Sequence, residues 1–295
     1  MLGGIAEKYH RWRRRAIPAS VGDIEWRHEH VSRRLDQIER TLSSRFPEAT
    51  PSPEQQREVV ETLRLLEPKS VVGVSKVRVG SAGDGGYVQL DDLVGVTRAF
   101  SFGISDNCDW DFALAQAGIP VEQFDHTIEA PPIAHPLLHF HRTMISAEAT
   151  SESAALPDLV ARHAVSDDPH LILKIDIEGC EWDVFDRAGE ETLAKLSQIV
   201  CEFHDLSDLG APALCARAKR VFAKLDRLFA PIHVHGNNVA GLCNVANLAV
   251  PDVLEVTFAN RRRYRFAESS EIFPTPLDAP SNPGVADIWL GPFRF

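Results

Sequence analysis

Three carboxylates, Asp176, Glu178 and Glu181, follow directly on the apolar run "LILKI", and a second run, "IVCEF", leads into Glu202 and His204. If both runs are strands, their period of two sets Asp176 beside Glu178 on one face and Glu202 beside His204 on another. Adjacent parallel strands would then bring both pairs to the carboxyl edge of a sheet, where open α/β folds bind ligands. Converging ionisable groups are costly unless they meet a cation, a positive substrate or one another, so the pattern reads as a site. Lys174 offers a neutralising partner for one acid. The chemistry open to such a set is proton removal from a weakly acidic hydroxyl, with His204 as the leading general base, Asp176 and Glu178 beside it, and His235 second. The alternative is a divalent cation, magnesium or manganese, held by Asp176, Glu202 and His204 to lower the hydroxyl's pKa.

Other segments supply possible binding groups. "PIHVHGNNVAG" carries His233 and His235 two apart and then Asn237 and Asn238, which could contact an acceptor. "SFGISDNCDWD" offers Gly103, where backbone could pass close to a ligand, and Ser105, Asp106 and Asn107 as turn and capping residues. "VEQFDHTI" ends at Asp125, with His126 after it, and an acid there is placed to accept hydrogen bonds from ribose hydroxyls. "GSAGDGGYVQLDD" lacks GK[ST] and reads as a β-turn around Asp84, Gly85 and Gly86 that sets Tyr87 near the ligand. Trp182, beside Val184 and Phe185, reads as core.

The elements that must hold these residues are legible as short apolar runs after residue 70: "RAFSFGI", "VEQFD", "LLHFH", "LILKID", "IVCEF", "PIHVH", "VLEVTF" and "DIWLGPF". Amphipathic stretches, "DWDFALAQAG" and "APALCARAKRVFAKLDRLF", separate them, so an α/β sheet is expected, mainly parallel over its first five strands and antiparallel towards the C-terminus. Upstream, Ile24, His28, Val31, Leu35, Ile38 and Leu42 form a short heptad seam, which makes a homo-oligomer the expectation. "SPEQ" is a capping box, with Ser52 as N-cap, Pro53 at N1 and Gln55 reaching back, for a helix through "PEQQREVVETLRLL". The expected divisions are therefore residues 1–50, a linking helix at 51–72 and a catalytic body at 73–295.

The 295 residues carry a net charge of −11, unevenly spread: ten Lys/Arg against seven Asp/Glu in the first fifty, 21 against 35 thereafter. Such an acidic body disfavours nucleic acid as partner, while the basic start could touch an anionic membrane surface. No apolar run is long enough to span a bilayer or to serve as a signal peptide. Five cysteines without CxxC spacing fit a reducing cytoplasm and argue against a cysteine-rich zinc site.

Taken in order, "DGGYV", "SFGISDNCDWD", "QFDHTI", "LKIDIEGCEWDV", "CEFHDL", "HVHGNN" and "PDVLEVTF" resemble the FkbM-type S-adenosylmethionine-dependent methyltransferases over residues 73–295. The first glycine motif departs from the usual GxGxG. The resemblance implies a class I methyltransferase fold, Rossmann-like, with seven strands, the last inserted antiparallel, and helices on both faces. It also implies S-adenosylmethionine as cofactor, near Gly103, with Asp125 on the ribose and the Asp84–Tyr87 segment closing over it, and O-methylation of a sugar or natural product. Two other classes compete: a metal-dependent hydrolase built on Asp176, Glu178, Glu202, His204 and His235, and a scaffold with an idle methyltransferase-like body.

Overall fold

The computed structural model describes residues 51–163 and 170–295. The heptad seam, and with it the expected coiled-coil oligomer, lies outside these residues. The described residues all belong to one compact unit. Its centre is a seven-stranded sheet of β1 (Arg98–Phe102), β2 (Val121–Phe124), β3 (Leu138–His141), β4 (Leu171–Ile175), β5 (Leu196–Phe203), β6 (Phe229–Gly236) and β7 (Leu254–Asn260). The spatial order is β6-β7-β5-β4-β1-β2-β3. β1 to β5 run parallel, and β7 lies antiparallel between β5 and β6, as the resemblance implied.

The chain begins mid-sheet, builds outward to β3, and then returns to lay β4 against β1. The strand order therefore reverses between β1 and β4, and the crevice such a reversal opens lies outside the ends of those two strands. Gly103 and Asp176 stand there. Full burial of β4 and β5 on both faces explains their largely apolar runs, broken in β4 by Lys174 and in β5 by Ser197, Gln198 and Glu202, in place of the alternation of a half-exposed sheet.

Six α-helices are described: α1 (Pro53–Arg64), α2 (Asp109–Gln116), α3 (Leu156–His163), α4 (Glu181–Arg187), α5 (Glu190–Leu193) and α6 (Pro212–Leu228). One face of the sheet gives Phe100, Leu171, Leu173 and Ile175 to a core shared with α3, α4 and α6; the other sets Ala99, Val121 and Ile172 against Trp110 and Leu114 of α2. Alternation thus sends Lys174 towards the α2 side, beside Ile172.

The α1 N-terminus is capped by Ser52, whose hydroxyl accepts from Gln55 N at 3.1 Å. Gln55 does not close the expected box: its amide donates to Gly210 O at 2.6 Å, which pins α1 to the body. The run "DIWLGPF" is not a strand. Its one ladder contact is a bridge between Gly291 and Phe273, because Gly291 and Phe293 adopt positive φ and break the extended run. Instead, residues 269–295 cross the outer strand β6 as an irregular strap.

Candidate active site

β4 and β5 end side by side, and the loop after β4 turns sharply into α4. Glu178 takes φ +58° and Gly179 φ +96° in that turn. Glu181, in the first turn of α4 and fully buried, reaches back to accept from Ile177 N at 2.6 Å and Gly179 N at 2.9 Å. A carboxylate at a helix start is favoured by the free N–H groups and by the dipole. The same Glu181 lies 3.2 Å from Nδ1 of His204, as an ionic contact and not an aligned hydrogen bond. Nε2 of His204 faces Asp176 at 3.9 Å and Glu178 at 3.8 Å. Trp182 is core, 2% exposed, and its indole N–H donates to His204 O at 2.9 Å, fixing the end of β5.

Burial alone would lower the His204 pKa, but the charge and contact of Glu181, with Glu202 and Asp176 beyond it, raise it well above the histidine range. The imidazole is thereby held towards its charged form, in which both ring nitrogens donate, and that favours a cation beside Asp176 over the expected general base.

Asp176 is a quarter exposed. It accepts from the Tyr87 hydroxyl at 3.3 Å and lies 3.8 Å from Lys174 Nζ. Lys174 also donates to Gly103 O and sits 5.8 Å from the Tyr87 ring centroid. Tyr87 is buried, and burial, with the nearby Asp176, Glu202 and Glu255 charges, raises its pKa well above the tyrosine value, so it remains a donor. The turn before it brings Asp84 to the same rim. Burial, and then Asp176 itself, raises the Asp84 pKa. Gly85 adopts φ +78°, and a Cβ there would meet Asn107 at 2.4 Å, so glycine is required where the two loops touch. Asn107 donates to Asp84 O at 2.7 Å across that contact.

Several expected binding roles are corrected by the hydrogen bonds these residues already make. Asp125 accepts from Ile104 N and Ser105 N at 2.8 Å each, and from the N–H and hydroxyl of Thr127. Those four bonds fill the carboxylate's acceptor sites, so it orders the loops after β1 and β2, and a ribose would have to displace one of them. Ser105 (φ +52°) and His126 are exposed on those same loops. Gly103, expected to approach a cofactor, is fitted to protein: with φ +76°, a Cβ would lie 1.7 Å from Asp176 O.

On the β6 side, Glu202 is 4% exposed and accepts from Asn237 Nδ2 at 2.7 Å. Burial, then the Asp176 charge, lifts its pKa well above the carboxylate range, and its carboxylate is not among the described groups with metal-binding spacing. His235 is 1% exposed, with Nδ1 3.2 Å from Glu255 and Nε2 3.0 Å from Asp287, so both nitrogens face protein and not a substrate. Asn238 accepts from Asn282 N at 2.7 Å and donates to Asn282 O and Val285 O, and is likewise committed to the strap.

Among the described residues, one group has metal-binding spacing: Asp176, Glu178 and His204 each offer an atom within 4.8 Å of the others. Glu178 thus stands where Glu202 was expected. In the structure these three groups meet one another as ion pairs, His204 with Asp176 at 3.9 Å and with Glu178 at 3.8 Å.

A cavity of about 530 Å³ lies beside the ends of β2 and β3, lined by Phe124, His141, Thr150, Ser153, Leu159 and Arg162 among others. Its volume falls within the roughly 300–1,000 Å³ usual for small-ligand sites. The Phe124 and His141 rings stack at 4.6 Å and 16°, giving it an aromatic wall. From β2 to β4 is two strand spacings, roughly 10 Å along the rim. A nucleoside base in the cavity and a charged tail at Asp176 are therefore compatible with one extended ligand. On these grounds the residues present fit S-adenosylmethionine.

Sequence reasoning assigned no role to Glu181, although its position, three residues after Glu178 at a helix start, is a capping signal. It also passed over Asp278, Asp287 and Glu255, whose partners are far away in the chain and leave no local pattern. No curated protein matches the chain. Residues 111–230, from α2 through β2–β5 to the start of β6, match the family model of the methyltransferase FkbM domain.

Proposed function

We propose that the chain is an S-adenosylmethionine-dependent O-methyltransferase whose acceptor is a sugar hydroxyl of a glycan or secondary metabolite. The observation that carries this reading is the meeting, at the switch point of the sheet, of Asp176 with His204, next to a nucleoside-sized aromatic cavity. When bound, the cofactor supplies an electrophilic methyl group on a sulfonium. The residues' part is to place a hydroxyl in line with it, exclude water and receive a proton. Asp176 is the acceptor of that proton: it is a partly exposed carboxylate at the rim, whereas the raised pKa values of His204 and Glu202 favour a charged ring and a protonated acid. His204 and Lys174 flank Asp176 as cations, and the Tyr87 hydroxyl fixes the oxygen it points to. The acidic rim formed by Asp84, Asp176 and Glu178 suits a cationic sulfonium.

Titration calorimetry of the purified chain with S-adenosylhomocysteine tests the reading directly. Saturable binding at one site per chain is expected. No heat at any concentration up to the millimolar range, roughly the weakest affinity useful to an enzyme, would sink it.

A further inference from the structure

β3 carries two histidines that the rim chemistry does not use. His139 and His141, two apart, stand on one face of the strand, and Glu122 of β2 is directly opposite His139. Its Oε1 meets His139 Nδ1 at 2.9 Å and its Oε2 meets His141 Nε2 at 2.7 Å, while Arg98 also pairs with Oε1. Burial resists ionisation of Glu122, but the His141 and His139 contacts, and then Arg98, bring its pKa down to about 2. An ionised carboxylate only accepts, so the hydrogen between it and His141 belongs to Nε2. In the neutral ring Nδ1 is then an acceptor, and it makes no hydrogen bond among the described residues.

The ring itself is held in place. His141 O accepts from Asp125 N at 3.2 Å and from Thr143 N at 2.8 Å, and one face of the imidazole stacks on Phe124. Both rings line the cavity beside β2 and β3. Of the other polar side chains there, Thr150 and Ser153 are spent on each other at 2.8 Å, Arg162 only donates, and Asp158 is exposed on α3. We propose that His141 reads the base of a nucleoside in this cavity, its Nδ1 accepting from the 6-amino group of adenine, and that Glu122 is the positioning residue that fixes the tautomer; the proposal rests on the methyltransferase reading, which supplies the ligand. A purine without that amino group leaves Nδ1 unpaired, and the loss of one such hydrogen bond weakens binding about five- to tenfold.

Calorimetry of the full chain tests this with S-adenosylhomocysteine and its analogue lacking the 6-amino group, and with adenosine and purine riboside as probes of the base end alone. The parent should bind the amino member of each pair about five- to tenfold more tightly. His141→Phe keeps a ring beside Phe124 and leaves Glu122 to Arg98 and His139, and should bring that ratio to about one. Glu122→Gln puts an amide that both donates and accepts against Nε2, imposes no tautomer, and should bring the ratio to about twofold or less. Asp158→Asn should keep the parent's ratio. A merely structural role for the Glu122 cluster would weaken both members of a pair alike. Equal binding of both members by the parent, a preference that survives in either His141→Phe or Glu122→Gln, or one lost in Asp158→Asn would each overturn the proposal, however tightly S-adenosylhomocysteine binds. A chain that prefers adenosine to purine riboside through His141 but takes up no S-adenosylhomocysteine would instead sink the methyltransferase reading and leave the base site standing.

Discussion

His204 keeps its proton because a fully buried Glu181 lies 3.2 Å away and has no other cation within such reach of that oxygen among the contacts described. Removing the charge from either member leaves the other buried and uncompensated, which costs about 3–5 kcal/mol in such pairs. Glu181→Gln should therefore lower the urea-unfolding free energy by roughly 3 kcal/mol, and a variant as stable as the parent would show the pair to be idle. Asp176→Asn, partly exposed, should leave stability nearly unchanged while reducing kcat about 10²–10⁴-fold, the usual range for a lost general base. Its affinity for S-adenosylhomocysteine, read by calorimetry, should fall by no more than about tenfold, the worth of one contact to the cofactor's tail, because the cavity at β2 and β3 that takes the base is untouched; abolished binding would make Asp176 chiefly a cofactor ligand. At this scale the sequence disclosed which residues assemble, since strand alternation carries that information. It did not disclose which of them hold protons, because that depends on Glu181 folding back through a turn with φ +58° and +96°, a geometry no periodicity announces.

Among the elements, the seven strands of the sheet were readable because each carries a short apolar run, and all but β3 are almost wholly buried. The eighth run, "DIWLGPF", has the same composition for a different reason: Ile288 and Phe293 pack downwards on β6 and the core while Trp289 faces outwards. Composition alone does not separate a strand from a strap fastened by side chains. Asn237, Asn238 and His235 looked like ligand-facing groups on the same grounds, and their true partners, Glu202, the 282–285 backbone and Asp287, are invisible to local pattern. The junction of β1 with β4 gives the sharpest element-scale test. Gly103→Ala must relieve a 1.7 Å overlap with Asp176 O and also leave a left-handed φ of +76°. Loss of at least about 2 kcal/mol is expected from strain of this kind, together with loss of S-adenosylhomocysteine binding as the two strand ends part. An alanine variant with the parent's Tm and affinity would mean that the ends of β1 and β4 are free to separate without consequence.

Over the whole molecule, two buried ion clusters at opposite edges of the sheet set the pH range in which it holds together. At the β3 edge, Glu122 is met by Arg98, by His139 at 2.9 Å and by His141 at 2.7 Å. Burial opposes its ionisation, but the two histidine contacts and Arg98 outweigh that and bring its pKa down from 4.5 to about 2. A carboxylate depressed on folding stabilises the native state above its unfolded pKa, so this contribution is complete above pH 4.5 and is lost as pH falls through about 2. At the β6 edge the sign is opposite. Burial would lower the His235 pKa, but Glu255, and then Asp278 and Asp287, raise it from 6.5 to about 9. That contribution is complete below pH 6.5 and is lost as pH rises through about 9. Each is worth roughly 3 kcal/mol at most, enough to dominate the slopes of a marginally stable fold. Unfolding free energy should therefore fall on the acid side with the Glu122 contribution and on the alkaline side with that of His235, to which the raised pKa values of Glu202 and His204 add with the same sign. Glu122→Gln should reduce the acid limb alone, and His235→Gln the alkaline limb alone, whatever either does at neutral pH. Urea titrations of the parent and both variants across pH 3–10 would read this out, in steps of about one pH unit. If both limbs survive undiminished in both variants, the pH dependence belongs to other groups and not to these two clusters.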